Sequence, residues 1–191
     1  MNEKNIRRYL RITGEPDDAT ARLIRECMEE AAHTMTPKRI FRIYDMEMRE
    51  DGVLIGDTFF EGTQIAKRLQ DFDKCALMAV TLGVPCDTLI RKYSVSRPSK
   101  AAVMQAVLAD MTEDICDRTE ADIRLTPPGY TVGQRFSPGY PGLPLEFQKK
   151  IFAMLDISKR IGITLTATDL MLPSKSVTAF AGLKENGTCE I

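Results

Sequence analysis

Residues 125–144 read LTPPGYTVGQRFSPGYPGLP and hold five of the chain's ten prolines and four of its twelve glycines. No other stretch restricts the fold as much. Proline fixes φ near about −65° and removes a backbone donor, so neither a helix nor a central strand runs through such a segment. A stretch of more than about 12–15 residues without secondary structure is normally functional or disordered. Tyr130, Phe136 and Tyr140 are interleaved with the prolines, whereas flexible linkers lack rings. The segment is therefore expected to be an ordered, functional loop with structured elements on both sides.

Residues 4–12 carry a short helical pattern. Asp17 to about Thr34 carries a longer one, whose Leu23, Ile24, Cys27, Met28 and Ala31 form one apolar stripe, capped by Asp17 or Asp18. From Arg39 the period changes to two, and Asp51-Gly52 turns the chain into Val53–Ile55 and Thr58–Phe60, a hairpin. A short helix opens at Gly62-Thr63, and the apolar run Cys75–Leu82 reads as a buried strand ended by Gly83. A helix from about Cys86 to Tyr93 precedes a long one from about 98 to 122, entered through Ser96-Arg97-Pro98 with the serine as cap. On the long helix Met104, Leu108, Met111 and Ile115 recur on one side, and Asp110, Glu113, Asp117 and Glu120 on the other. The first set is core; the second, taken by itself, reads as a solvated face. After the loop a helix is expected from Pro144 to about Arg160, ending at Gly162, then strands at Ile163–Leu165 and Ser176–Phe180. These elements point to one α+β domain over residues 1–191, a mostly antiparallel sheet flanked by helices.

The side chains exclude several functions. With 26 Lys and Arg against 27 Asp and Glu there is no basic field for nucleic acid. No apolar run approaches the roughly 20 residues of a membrane span, and the charged start MNEKNIRRYL has no signal-peptide core, so a cytoplasmic location is expected. Cys27, Cys75, Cys86, Cys116 and Cys189 are widely spaced and never form CxxC, which disfavours a disulfide framework or a zinc knuckle. His33, the only histidine, lies in an Ala-Ala-His-Thr-Met context that suits a structural helix-end residue rather than a ligand or catalyst. No two glycines are separated by a single residue, so the glycine-rich turn of a Rossmann-type methyltransferase is missing.

What the loop offers is one cation, Arg135, able to clamp a carboxylate through its fork, with Gly139 allowing close approach to the main chain, Ser137 and Pro138 offering backbone groups, and Tyr140 a ring face. Each of these also has an ordinary role, as a salt bridge, a tight turn or a packed ring. The ordered string RFSPGYPGLP, LEFQKKIFAMLDISKRIG and ITLTATDLMLPSKSVTAF resembles the S-adenosylmethionine-binding activation domain of cobalamin-dependent methionine synthase. The family's Arg-x-x-x-Gly-Tyr-Pro is matched by Arg135, Gly139, Tyr140 and Pro141. Its trailing segments are matched by Gly162, Leu165, Thr166, Met171, Pro173, Ser176 and Val177. The strong match covers residues 133–183 and a weaker one 73–120, while residues 1–70 match loosely.

The resemblance implies a domain that holds S-adenosylmethionine (AdoMet) over the corrin of cobalamin borne by another protein. There it would support reductive methylation of inactive cob(II)alamin, with a reduced flavoprotein as electron donor. It implies that Arg135 binds the ligand carboxylate, that the main chain of Phe136, Ser137 and Pro138 meets the adenine, and that Gly139 and Tyr140 lie beside ligand and corrin. Glu113 falls where the family has a carboxylate contacting the ligand. His33 lacks the Asp-x-His-x-x-Gly setting of a cobalamin-carrying module, so the corrinoid partner, a methionine synthase or a related protein, is expected in trans. The chain departs from the family in having no aromatic residue after Phe180. Two other readings stay open here: a corrinoid-protein interaction module that has lost AdoMet binding, and a free-standing small-molecule methyltransferase.

Overall fold

The computed structural model describes residues 1–126 and 128–186. Two helices, α1 (Glu3–Tyr9) and α2 (Asp18–Thr34), lead into β1 (Lys38–Arg49), β2 (Gly52–Ile55), β3 (Thr58–Glu61), α3 (Thr63–Leu69) and β4 (Lys74–Thr81). Then come α4 (Pro85–Ser96), α5 (Pro98–Leu125), β5 (Tyr130–Val132), α6 (Phe147–Leu155), α7 (Ile157–Ile161), β6 (Thr164–Leu165), β7 (Met171–Leu172) and β8 (Ser176–Glu185). A six-stranded sheet in the order β3-β2-β1-β4-β8-β5 is antiparallel at every pairing, and β6 and β7 form a separate small hairpin.

The sheet lies between two helical layers. Ala76, Met78 and Val80 of β4 point into a core with α1, α2, α4 and α5, while Cys75, Leu77 and Ala79 point into a second core with α3, α6 and α7. Burial on both faces explains why β4 is an unbroken apolar run instead of an alternating one. The N-terminal helix is tied to α5 by Asp110, whose Oδ2 accepts the Asn2 N–H at 2.6 Å and whose Oδ1 accepts from Asn5 Nδ2 at 3.1 Å. Asp17 caps α2 by accepting the Thr20 N–H at 2.7 Å, as its position before the apolar stripe predicts.

Several boundaries differ from the sequence expectation, each for a local reason. Ser96 is not the cap of α5: it is the last residue of α4, its hydroxyl donates to the Lys92 carbonyl, and Arg97 alone separates the two helices. The expected helix over 144–160 is two helices, broken where Asp156 adopts φ +52°. Three loop residues, Tyr130–Val132, form an edge strand against Leu183–Glu185, and β8 runs five residues past Phe180 to Glu185. Edge positions tolerate the flanking prolines because one side of the strand needs no donors. Cys27, Cys75, Cys86 and Cys116 are buried free thiols; burial pushes Cys27 up to about 11 and Cys75 and Cys116 up to about 12, so these three stay protonated and inert at neutral pH. Cys189 lies outside the described residues.

A candidate ligand cleft at the open edge of the sheet

The loop after β5 is ordered by two consecutive Pro-Gly turns. Tyr140 N–H donates to the Ser137 carbonyl at 3.3 Å across Pro138-Gly139, and Leu143 N–H donates to the Tyr140 carbonyl at 2.8 Å across Pro141-Gly142. Gly139 and Gly142 have φ of +89° and +77°, so proline precedes a positive-φ glycine in both, the type II combination. Phe136 and Leu143 anchor the loop in the core beneath it. The Phe136 ring stacks on Phe180 at 5.3 Å, and Phe180 meets Phe60 edge-on at 5.2 Å.

Opposite the loop runs the acidic side of α5. This side is solvated only in part: Glu113 and Asp117 are exposed, whereas Asp110 is 3% and Glu120 7% exposed. Arg135 reaches across to it. Its Nη1 donates to Asp117 at 2.8 Å and to Glu120 at 2.7 Å, its Nη2 donates to Glu113 at 2.6 Å, and its backbone N–H donates to Glu120 at 3.3 Å. Glu113, Asp117 and Glu120 are spaced by four and three residues, which puts them on one side of the helix within reach of a single guanidinium. Burial opposes the charge of Arg135, but the hydrogen bonds it donates to Asp117 and Glu113 outweigh this and hold the guanidinium pKa above its ordinary value. Three carboxylates around one guanidinium leave an excess of two negative charges.

Beside this cluster opens a cleft of about 570 Å³, lined by Glu113, Glu120 and Arg135, by Ser137, Pro138 and Tyr140, and by residues of α6, β7 and β8. The structure thus gathers Arg135, Glu113, Ser137, Pro138 and Tyr140 around one cavity. Tyr140 stands 49% exposed at its mouth. Gly139 lies between two lining residues and serves the turn. Phe136 is not brought to the cleft wall, because its side chain is buried and its main-chain N–H and C=O both pair with Phe180, at 3.0 and 2.8 Å. His33 is exposed near the end of α2, its Nδ1–H donating to the Glu29 carbonyl at 2.7 Å, far in sequence from any lining residue.

Sequence reasoning missed Gln148, Ser176 and Thr178 as lining residues. A faint pattern marks them: Gln148 interrupts the apolar face formed by Phe147, Ile151, Phe152 and Leu155, and Ser176 and Thr178 are polar at alternate positions of a strand that is otherwise apolar up to Leu183.

No curated protein matches the chain at a significant level. The crystal structure of the MetH reactivation domain bound to AdoHcy shares its fold, with a TM-score of 0.71 at 17% identity over 94% of this chain and 74% of that one. The model of the family described as vitamin B12-dependent methionine synthase, activation domain, matches residues 64–188, which run from the second residue of α3 past the end of β8 and include every cleft residue named above. With that match over well more than half of its length, the chain belongs to the activation-domain family of vitamin B12-dependent methionine synthase.

Proposed function

We propose that this chain binds AdoMet in the cleft and docks on a separate cobalamin-carrying methionine synthase, or a related corrinoid protein, to support reductive methylation of cob(II)alamin. Family membership gives the reaction class, and the observation that carries the ligand assignment is the charge arrangement at Arg135. AdoMet has one carboxylate, one ammonium and one sulfonium, so it is a net cation with a zwitterionic head. The cleft wall offers a guanidinium and a surplus of carboxylates, which suits that pattern. A positive charge about 5 Å from one unpaired carboxylate is worth about 3 kcal/mol at an effective dielectric near 20. Arg135 takes the ligand carboxylate, and Glu113, half exposed, exchanges its contact with Arg135 for the ligand ammonium. Glu120, nearly buried, keeps the guanidinium aimed. Ser137, Pro138 and Tyr140 form the wall for the nucleoside.

When bound, AdoMet would supply the methyl group for the partner's cobalamin, with a reduced flavoprotein as the electron donor. The cleft residues bind and orient; none is assigned a proton to move. Leu170 and Leu172, 57% and 49% exposed on either side of the cleft residue Met171, and exposed Tyr140 are the apolar side chains we assign to docking. Calorimetric titration tests the reading: one site per chain for AdoMet and for AdoHcy is expected, and no heat with either removes it. A second reading, a docking module that no longer binds AdoMet, is favoured by one observation. Arg135 is already engaged by three carboxylates, so a ligand must displace one of them. The same titration separates the two.

A further inference from the structure

Among the buried polar atoms of the chain, Gln148 Oε1 and Thr178 Oγ1 have no hydrogen-bond partner among the described residues. Their residues are 4% and 1% exposed, and both line the same cleft. Leaving such an atom unpaired is costly, because it loses its hydration with no hydrogen bond in exchange. Ser176, two residues before Thr178 on the same side of β8, shows the contrast, because its hydroxyl is satisfied by Thr81 Oγ1 at 2.8 Å and the Pro173 carbonyl at 2.7 Å.

The backbone adds a third feature. On β8 the odd positions face β4: Lys175 and Leu183 carbonyls accept from Leu82 and Asp73 at 3.0 and 2.8 Å. The even positions face the other edge. Phe180 pairs with Phe136, and the Gly182 carbonyl accepts the Gly133 N–H at 2.9 Å. By the same alternation the N–H and C=O of Thr178 point to that edge, one step beyond the last residue that covers it. No described residue pairs with them. Two residues of the cleft wall therefore carry buried, unpartnered side-chain oxygens, and one of them, Thr178, also has its N–H and C=O on the uncovered edge of β8.

We propose that Thr178 and Gln148 form a recognition subsite for the amino-pyrimidine edge of an adenine, in which an N–H donor adjoins a ring-nitrogen acceptor. That edge complements a free strand edge, donor to acceptor and acceptor to donor. The inference rests on the AdoMet reading and deepens it: the amino-acid head is held at Arg135 and Glu113, and the base is read at the open edge of β8. The Ser137–Tyr140 turns supply the wall, while the main chain of Phe136, being already paired, takes no part.

The test uses Thr178→Val, which keeps the shape and removes the hydroxyl, and Gln148→Met. Titrations with AdoHcy, with its deaminated analogue S-inosylhomocysteine, and with adenosine are compared with melting of the ligand-free proteins. Wild-type protein is expected to prefer AdoHcy over the inosyl analogue by about tenfold or more, since deamination reverses the donor–acceptor pattern. Each variant is expected to weaken AdoHcy roughly 3- to 30-fold and to narrow that preference. Each is also expected to melt no lower than wild type, because an unpaired buried polar atom has been removed. Unchanged AdoHcy affinity in both variants overturns the proposal, as does a lower melting temperature with an unchanged preference. Adenosine carries the same edge without the amino-acid head. If AdoMet and AdoHcy both fail to bind, the functional reading falls alone when adenosine binds and weakens in the variants. Adenosine binding that is absent, or indifferent to both variants, overturns the subsite.

Discussion

Arg135 has two jobs that pull in different directions. As the only cation of its loop it invites a simple ligand clamp, whose removal would leave stability untouched. In the structure it also neutralises part of an acidic helix face, with its side chain 20% exposed and Glu120 at 10%. Arg135→Ala is therefore expected to lower the melting temperature as well as ligand affinity, and is a poor probe of binding. The neighbours separate the two roles better. Glu113→Gln is expected to weaken AdoMet about 5- to 20-fold, because Glu113 lines the cleft and is the carboxylate proposed to meet the cationic head. Asp117→Asn is expected to stay within about twofold, because its side chain is 68% exposed and it does not line the cleft. Calorimetric titration of the two variants decides it, and equal losses would return Glu113 to the status of a surface charge. A larger loss for AdoMet than for AdoHcy would identify the sulfonium as what Glu113 senses, and equal losses would identify the shared ammonium.

Between elements, the contact most open to a pH test lies where α2, α4 and α5 meet, on the side of α2 that faces the long helix. Lys100, 3% exposed, bonds Glu26 at 2.5 Å and Glu30 at 2.8 Å, lies 4.4 Å from the Tyr93 ring centroid, and so joins the three helices; Tyr93 Oη donates to Glu30. The Lys100 hydrogen bond holds Glu26 below the usual carboxylate range. Burial alone would raise Glu30, but the bonds from Lys100 and Tyr93 outweigh it and hold Glu30 low as well. Depressed carboxylates stabilise the fold above the unfolded value, near about 4.3, and that contribution is lost as pH falls through their folded values. Lys100→Met is expected to cost about 1–3 kcal/mol at pH 7 and progressively less at a low pH where the depressed carboxylates take up protons. Urea midpoints at the two pH values check this. A penalty equal at both would make Lys100 a packing residue.

For the whole molecule, exposed Tyr140 lines the cleft, and exposed Leu170 and Leu172 flank its lining residue Met171 in sequence, the surface proposed above for docking. Docking and ligand binding should therefore be separable. Leu170→Glu is expected to abolish co-sedimentation with a corrinoid methionine synthase lacking its own activation domain, while leaving AdoHcy affinity within about twofold. Loss of both together would place Leu170 in the ligand wall instead. The chain purified from cells supplied with cobalamin is expected to be colourless, since the corrinoid is assigned to the partner; stoichiometric corrin bands after gel filtration would contradict that division.

Local sterics make much of this fold legible in the sequence alone. Ser137-Pro-Gly-Tyr and Tyr140-Pro-Gly-Leu specify their turns through proline's fixed φ and glycine's freedom, and the Met104–Ile115 stripe specifies the buried side of α5, because 3.6 residues per turn places those side chains together in any context. The same periodicity groups Asp110, Glu113, Asp117 and Glu120, yet says nothing of what they face. That depends on β5 and β8 carrying Arg135 across to α5 from 15 to 22 residues away in sequence. Phe136 reads as a ligand contact by its place in the motif, and only its pairing with Phe180 shows its main chain to be spent. Gln148 and Thr178 are marked only faintly by the local pattern. A glutamine in a helix and a threonine in a strand are ordinary residues, and what makes them candidates for recognition is burial without a partner beside a cavity, which arises only when α6 and the open edge of β8 are packed together.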